Sequence, residues 1–247
     1  MNGCADADEW VKTDLHIHTL DDQKDALDYT AHQLLERAKA LGFRVLAITL
    51  HDSVFDRQEV FADAASMGIL LIPAAEVRLG GADIILLNVR SHEVSPLKTF
   101  DDVRRLRATR GESIYTFAPH PFYLLGGSIG GARLEANIDC FDAIEVCHFH
   151  IGWFDRNRPA REVAARCRKQ LLATSDAHQL RAFGSHYTSI PASAATSTEN
   201  VFDALRAGRA RLTSPPCSLT DLVSTLNFLF VLHPLRQRRR GDCRSHA

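Results

Sequence analysis

The sequence predicts an α/β barrel formed by a single domain, because short apolar runs alternate with longer helical patterns along most of the chain. Its 247 residues are 45% hydrophobic, which is enough to bury one large core. Eight runs are candidate strands: Thr13–Ile17, Val45–Thr49, Leu70–Ala74, Ile84–Asn88, Ser113–Phe117, Ala143–Cys147, Leu171–Thr174 and Ala210–Thr213. Most are continuously apolar, as is typical of strands covered on both faces. The repeated strand-then-helix order predicts a parallel sheet with right-handed crossovers.

Helical patterns fill the spaces between these strands. Thr30 is placed to cap the first helix, with Gln33 returning the bond and Gly42 ending the helix. The later helical patterns run over residues 57–66, 99–110, 159–169 and 197–207. We find no internal repeat and no long linker, so we expect one domain.

We place this barrel domain at residues 12–215, after an N-terminal extension at 1–11 and before an apolar helix and basic tail at 216–247. Leu219–Leu235 is the most apolar stretch of the chain, and we interpret it as a closing helix packed on the core. It is short for a transmembrane span. A peripheral membrane contact is the alternative, because an arginine-rich segment follows directly.

Composition excludes several classes of function. The formal net charge is −1 and 24% of residues are charged, so the body of the chain carries no global signal for a nucleic-acid or membrane partner. The first ten residues show no basic region followed by an apolar run, so we predict no signal peptide. The six cysteines form no C-x-x-C pair, which favours a reducing, cytoplasmic location and argues against a cysteine-type zinc site. The sequence does not indicate an oligomeric state.

Side chains of the metal-ligand type fall at or near the ends of most candidate strands. They are His16, His18, His51, Glu76, Asp83, His120, Glu145, His148, Asp176 and His178. Carboxyl ends of the strands in a parallel barrel open onto one face, where such proteins build their sites. His-x-His on a strand puts both imidazoles on the same side. The sequence therefore predicts a shared metal site, and the nitrogen and oxygen donors suit Zn, Mn or Fe.

The individual residues have ordinary alternatives. A single His is more often a surface or hydrogen-bonded residue than a ligand, and we interpret His32, His92, His233 and His246 in that way, while His150 and His186 stay open. An Asp that follows a strand is often a helix cap, which applies to Asp52 and Asp176. The indication comes from the whole series, since His-x-His alone is weak.

Five motifs together resemble the PHP family, the polymerase and histidinol phosphatase domain. They are DLHIHT (14–19), AITLHD (47–52), the Glu of AAEV (74–77), APHPF (118–122) and TSDAH (174–178). The resemblance runs from about residue 12 to about residue 213. It implies a distorted TIM-like (β/α)7 barrel, a trinuclear metal centre, and a free-standing metal-dependent phosphoesterase.

The same resemblance implies a distribution of ligands. His16, His18 and Asp176 would hold one metal ion, and Glu76 would bridge it to a second ion that His120 also holds. The third ion would be held by His51 and His178 with one more residue beyond the first motif. Counting back from the following helix favours Asp25 for that place, with Asp22 as the alternative.

Two positions depart from the family pattern. Asp83 stands where the family often has a His at the start of the fourth strand, and it could still ligate Zn or Mn. Leu50 replaces the Asp or Asn that usually precedes the His of the second motif, which removes a candidate partner for that imidazole. The centre could therefore hold two ions or three.

The expected reaction is hydrolysis of a phosphate monoester or diester by a metal-activated water. A small phosphorylated metabolite, a nucleotide or a short oligonucleotide is the expected substrate. Glu76 would act as a bridging ligand and not as a base, while His148 or His186 could donate a proton to the leaving group. Arg78, Arg133 or Arg181 could bind a substrate phosphate.

Two other classes of function compete with this expectation. One is another barrel hydrolase, a TatD-like DNase or an amidohydrolase. An amidohydrolase commonly needs a lysine in mid-barrel, but no lysine lies at the carboxyl end of a candidate strand. The other is a metal-binding regulatory module with weak activity, suggested by Asp83 and Leu50.

Overall fold

The computed structural model describes residues 9–123, 126–146, 148, 150–151 and 155–218. Its strands are β1 (Trp10–Ile17), β2 (Phe43–His51), β3 (Leu70–Leu79), β4 (Ala82–Leu87), β5 (Tyr115–Ala118), β6 (Ala143–Val146), β7 (Gln170–Ala173), β8 (Tyr187–Pro191) and β9 (Arg211–Thr213). Its α-helices are α1 (Ala31–Leu41), α2 (Gln58–Ser66), α3 (Ser91–Val94), α4 (Phe100–Arg110), α5 (Gly131–Ala136), α6 (Asn157–Cys167) and α7 (Thr198–Arg206).

The strands form one sheet in the order β7-β6-β5-β4-β3-β2-β1-β8-β9. The hydroxyl of Thr188 on β8 accepts from the N–H and donates to the C=O of Ala173 on β7, both at 2.9 Å. These bonds join β7, at one end of the sheet, to β8, which is next to the other end, so the sheet is nearly closed. The predicted α/β barrel is confirmed, with helices around a barrel-like sheet.

The predicted all-parallel pairing is wrong. Strands β1, β2 and β3 pair in parallel, as do β5, β6 and β7, but β4 is antiparallel to both of its neighbours and β8 is antiparallel to β1 and β9. Gly80 and Gly81 explain the first reversal. They have φ of +54° and +87° and form a turn of two residues, which joins only antiparallel strands.

Strand β8 is absent from the sequence prediction. Thr188 and Ser189 interrupt its apolar character, so the segment lacks the continuous pattern of the other strands. The first three strands also extend beyond their predicted bounds. As a result Glu76 lies inside β3 rather than after it.

Three apolar clusters make up the core. One lies among β1 to β8 and packs against Val201, Phe202 and Leu205 of α7. A second lies between α1, α2 and the neighbouring strands, and a third between β3 to β6 and helices α4 to α6. Burial on both faces explains why the strands are apolar at consecutive positions.

The predicted capping of α1 is present. Thr30 accepts a bond from the N–H of Gln33, whose side chain bonds the N–H of Thr30, and Gly42 ends the helix with φ of +77°. Strand β1 begins at Trp10, two residues before the expected start of the barrel. Most of the predicted N-terminal extension, and the tail from residue 219 onward, lie outside the described residues. Among the helices described, none has the length and apolar character needed to cross a membrane.

Candidate metal centre

The predicted ligand residues converge at one end of the barrel. Strands β1, β2, β3, β5, β6 and β7 run in the same direction, so their carboxyl ends share a face. Three groups bring potential ligand atoms within 4.8 Å of one another: His16, Glu76 and His120; His16, His18 and Asp176; and His18, His51 and Glu76. Six predicted residues, Glu76 among them, are thus brought together.

Glu76 lies between four imidazoles. Its Oε2 atom is 3.3 Å from Nε2 of His18, 3.2 Å from Nε2 of His51 and 3.7 Å from Nε2 of His16. Its Oε1 atom is 3.3 Å from Nε2 of His120. A carboxylate that reaches two groups of donors with its two oxygens has the geometry needed to bridge two ions.

Asp176 contacts two of these imidazoles and the ring of His178. Its Oδ1 atom lies 3.3 Å from Nε2 of His16 and 3.5 Å from Nε2 of His18, and 3.4 Å from Nδ1 of His178. This buried oxygen accepts no hydrogen bond from any described residue, and Nδ1 of His120 is also without one. Unsatisfied buried polar atoms are costly unless another group binds them.

Two further carboxylates hold the imidazoles from behind. Asp22 Oδ2 lies 2.7 Å from Nδ1 of His51 and 3.3 Å from Nδ1 of His18. Glu145 lies 3.1 Å from Nδ1 of His16, accepts a bond from the N–H of His120 at 2.5 Å, and also bonds the hydroxyl of Thr174. Carboxylates on Nδ1 fix the ring orientation and leave Nε2 directed at the cluster.

These contacts distinguish the two alternatives in the loop after β1. Asp25 Oδ2 lies 3.0 Å from Nε2 of His178, while Asp22 contacts His18 and His51 at their outer nitrogens. Neither Asp25 nor His178 belongs to the three groups described above, but the two contact each other beside them, whereas Asp22 has the position of an orienting residue. Asp22 is also the polar partner of the His51 imidazole that Leu50 cannot provide. Leu50 packs instead in the apolar cluster under α1 and α2.

The structure does not bring Asp83 into any of the three groups. Its carboxylate is bound by Arg78, with Nε to Oδ1 and Nη2 to Oδ2 each at 2.7 Å. Because β4 runs antiparallel to β3, Asp83 lies opposite Arg78 in register rather than beside Glu76. Both carboxylate oxygens are engaged, so the sequence-based expectation that Asp83 is a ligand has no support in this geometry.

The role of Glu145 was missed at the sequence level, although its place at a strand end was noted. Asp14 was missed entirely. It is buried, and its Oδ1 atom accepts from the N–H of Ser175 at 3.2 Å and of His16 at 3.4 Å. Burial raises the pKa of Asp14 to about 7, against the opposing bonds from Ser175. This carboxyl group ties the His16 strand to the segment that carries Asp176. Its place in the DLHIHT motif was the available signal.

Backbone strain concentrates at the same face. His120, Asp176 and Asp52 have φ of +30°, +45° and +53°, which residues with a side chain adopt rarely. Each follows a strand or ends one beside the cluster. Strained backbone of this kind clusters at functional sites, where the surrounding structure holds it.

The histidines beyond β6 and β7 have different roles. His150 and His186 direct Nε2 at the backbone of Ser214 (3.3 Å) and Pro215 (2.9 Å), so both fasten the segment after β9. Burial, with His148 nearby, lowers the pKa of His186 to about 4, so His186 is neutral and unsuited to the expected role of acid. Burial also lowers the pKa of His148.

Charges in the cluster balance in an unusual way. Burial opposes a positive charge on His16, but the carboxylates of Asp176, Glu145 and Glu76 outweigh it and raise the pKa of His16 well above its ordinary value. Although burial acts against ionisation of Asp176, the neighbouring His16 and His178 hold the pKa of that carboxyl well below its usual range. The carboxylates of the cluster thus favour a positive charge among the imidazoles.

Residues 154–210, which include Asp176 and His178, match the family described as PHP-associated. The barrel as a whole is similar to a two-domain protein from Bacteroides vulgatus that contains a predicted PHP-like metal-dependent phosphoesterase. The TM-score is 0.64 at 19% identity, over 84% of this chain and 65% of that one. The chain is similar to PHP-like proteins in its fold and in the sequence of residues 154–210. It spans about two thirds of the length of the Bacteroides vulgatus protein.

Two other solved structures share the PHP-like barrel. PsfC from Pseudomonas syringae PB-5123 has a TM-score of 0.61 at 16% identity, over 93% of this chain and 99% of that one. The lesion-specific endonuclease PfuEndoQ from Pyrococcus furiosus has a TM-score of 0.55 at 14% identity, over 88% of this chain and 66% of that one. At these identities the likeness shows the fold. No curated protein matches the sequence.

The donor set of this cluster fits divalent cations. Imidazole nitrogens and carboxylate oxygens meet within ligand reach, an Asp176 oxygen lacks a hydrogen bond from the described residues, and Asp22 and Glu145 hold three rings. Imidazoles face both of the carboxylates Glu76 and Asp176. A bound cation would supply the positive charge that the carboxylates favour.

Proposed function

We propose that this chain is a metal-dependent phosphoesterase that hydrolyses a phosphate monoester or diester. The observation that carries the proposal is the position of Glu76, whose two oxygens face separate groups of imidazoles. Shared carboxylates of this kind hold metal ions side by side, and such pairs of ions serve phosphoryl chemistry. The PHP-like barrel and the match at residues 154–210 support the same class of reaction.

The proposed ligands follow the geometry of the cluster. His16, His18 and Asp176 would hold one ion, and Glu76 with His120, which are grouped with His16, would hold a second. His51 and His178, with Asp25 at 3.0 Å from His178, would form the third position. Zn, Mn and Fe all suit this donor set.

When bound, divalent cations at such a site polarise the phosphoryl group and make water more acidic. The chain's own residues supply orientation. Glu145 and Asp22 fix His16, His18 and His51 through Nδ1, and Glu76 remains ionised because His16 and its neighbours outweigh its burial and lower its pKa. These fixed groups would align the phosphate with its attacking water.

His148 is the proposed proton-transfer residue beside the cluster. Burial lowers the pKa of His148 below its ordinary value and so favours the neutral ring. That state favours accepting a proton over donating one. Its predicted role as an acid for the leaving group stays a prediction.

A small phosphorylated metabolite or a nucleotide is the proposed substrate, because the net charge of −1 offers no track for a long polyanion. A nucleic-acid substrate is the second candidate. One of the structures with the same barrel is a lesion-specific endonuclease, and endonuclease Q has been captured with a duplex bearing an abasic lesion at its active site.

The test uses the full chain loaded separately with Mn, Zn or Fe. Metal content is counted by mass spectrometry, and turnover is measured on 4-nitrophenyl phosphate, bis(4-nitrophenyl) phosphate and an abasic-site duplex. His16→Ala should lose bound metal and turnover together. His32→Ala is the matched control, since that ring is 45% exposed on α1 and pairs with Asp63. Bound metal without turnover of any of the three would favour the regulatory module.

A further inference from the structure

Arg78 is placed at the mouth of the metal centre. It lies two residues beyond Glu76 on β3, so both side chains are on the same face of the strand, with Cα atoms roughly 7 Å apart. Its backbone N–H donates to Asp52 at 2.9 Å, and the N–H of Asp52 donates to the carbonyl of Glu76 at 2.7 Å. The guanidinium therefore lies at the rim, above the bridging carboxylate.

The side chain of Arg78 is fixed although it is half exposed. Its side chain is 48% exposed, whereas that of Asp83 is 3% exposed and binds Nε and Nη2 in a bidentate pair. A buried carboxylate that holds an exposed guanidinium limits its rotamers and keeps it charged. Nη1 of Arg78 makes no hydrogen bond with the described residues, so its donors remain available.

Gly127 packs directly on this pair. The N–H of Asp83 donates to the carbonyl of Gly127 at 2.7 Å, and a Cβ atom on Gly127 would lie 1.8 Å from Oδ2 of Asp83. Only glycine permits this approach. Gly127, in the segment that follows His120, is thereby held against the ion pair of Arg78 and Asp83. This contact connects the rim to His120, one of the proposed ligands.

The two other arginines considered at the sequence level are engaged elsewhere. Arg133 donates to the carbonyls of Leu79 and Gly80 and lies over the ring of Phe100 at 5.3 Å. Arg181 donates to Gln179 on an exposed part of the chain. At the rim itself, Lys24 pairs with Asp52. Arg78 is the arginine whose position and open donors fit a ligand.

We propose that Arg78, held by Asp83, binds a second anionic group of the substrate, several bonds away from the phosphate that is hydrolysed. The inference rests on the proposed phosphoesterase function and adds a substrate class, namely phosphorylated small molecules with a further phosphate or carboxylate. Guanidinium donors bind both of these anions through paired N–H groups. Asp83 acts here as a positioning residue.

Matched ligand pairs, each used as its non-hydrolysable phosphonate analogue, test the proposal by calorimetry on the metal-loaded chain. Glycerol 3-phosphate and 3-phosphoglycerate differ by a carboxylate, and fructose 6-phosphate and fructose 1,6-bisphosphate differ by a phosphate. We expect the wild type to bind the second member of at least one pair about tenfold more tightly, as one charge-assisted interaction provides. Arg78→Ala should bring that ratio close to one, and Arg78→Lys should leave an intermediate ratio.

Arg158→Ala is the matched control, because Arg158 also pairs with a carboxylate but lies 82% exposed on α6. It should leave the ratio unchanged. A wild type that binds both members of each pair equally would overturn the proposal, as would an Arg78→Ala variant that keeps the wild-type ratio. Binding is measured without turnover, so loss of the proposed function would be seen separately as bound metal with no hydrolysis.

Discussion

The two ends of the barrel hold buried or partly buried carboxylates in different ways. At the amino end, Asp142 accepts from Arg107 at 2.7 and 3.1 Å and from the N–H of Thr116 at 2.9 Å, with Arg206 at 3.5 Å. At the carboxyl end, Glu76 and Asp176 face imidazoles. Guanidinium carries a permanent charge, whereas imidazole can exchange a proton for a metal ion. The first arrangement favours stability and the second favours binding.

The largest expected effect comes from removing a carboxylate at the binding end. Glu76→Gln should reduce metal affinity and phosphoesterase turnover by at least about 100-fold, since it removes a charged bridging ligand and not only a supporting residue. Metal analysis by mass spectrometry and turnover of 4-nitrophenyl phosphate check this. Glu162→Gln, the same change on the surface of α6, should alter neither.

Removing the carboxylate at the other end should act on stability. Asp142→Asn leaves Arg107 partly buried without its partner, so we expect a loss of about 3 kcal/mol in the free energy of unfolding. Urea denaturation of the metal-free protein measures this. Metal content should stay at the wild-type level. If Asp142→Asn lowered metal binding as much as Glu76→Gln, the separation of the two ends would be wrong.

A smaller effect is expected from the carboxylates that orient the ligands. Glu145→Gln keeps the shape of the side chain but removes the charge beside Nδ1 of His16. We expect metal affinity to fall by roughly 10- to 100-fold, as is usual when a residue that orients a metal ligand is changed. Competition with a fluorescent chelator measures the affinity. Unchanged affinity would show that Glu145 serves only to close the strands around Thr174.

The smallest effect is a difference in acid sensitivity. Burial opposes ionisation of Asp142, but Arg107 outweighs it and holds the pKa of that carboxyl below its ordinary value. A depressed pKa contributes stability above the ordinary value near 3.9, and this contribution is lost as the pH falls through the folded pKa. Between about pH 5 and pH 2 the wild type should therefore lose more stability than Asp142→Asn, as thermal melts at stepped pH would show.

The sequence predicts most of the binding end because strand periodicity is a local property. His16 lies in β1 and His18 directly follows that strand, and their Nε2 atoms lie 3.2 Å apart, in keeping with the alternation of side chains. The supporting contacts were harder to predict. Glu145 meets His16 across 129 positions of sequence, and only the closed sheet brings them together.

The expectation for Asp83 had no support for a related reason. Its position follows from the direction of β4, and that direction depends on a turn of two glycines that a pattern of apolar runs does not reveal. Strand β8 was missed because Thr188, a polar residue, lies at a buried position where an apolar residue was expected. Its hydroxyl forms hydrogen bonds to β7.

The turn at Gly80 and Gly81 also bears on how this fold can diversify. It lies at the metal-centre face, beside Arg78 and Asp83, yet it connects two strands whose pairing is complete without a longer link. Extra residues inserted there would extend the wall of the mouth and leave the barrel register intact, since surface loops tolerate insertion at modest entropic cost. We therefore expect proteins with this fold to differ in the length of this hairpin, and to differ with it in the substrates that reach the metal centre.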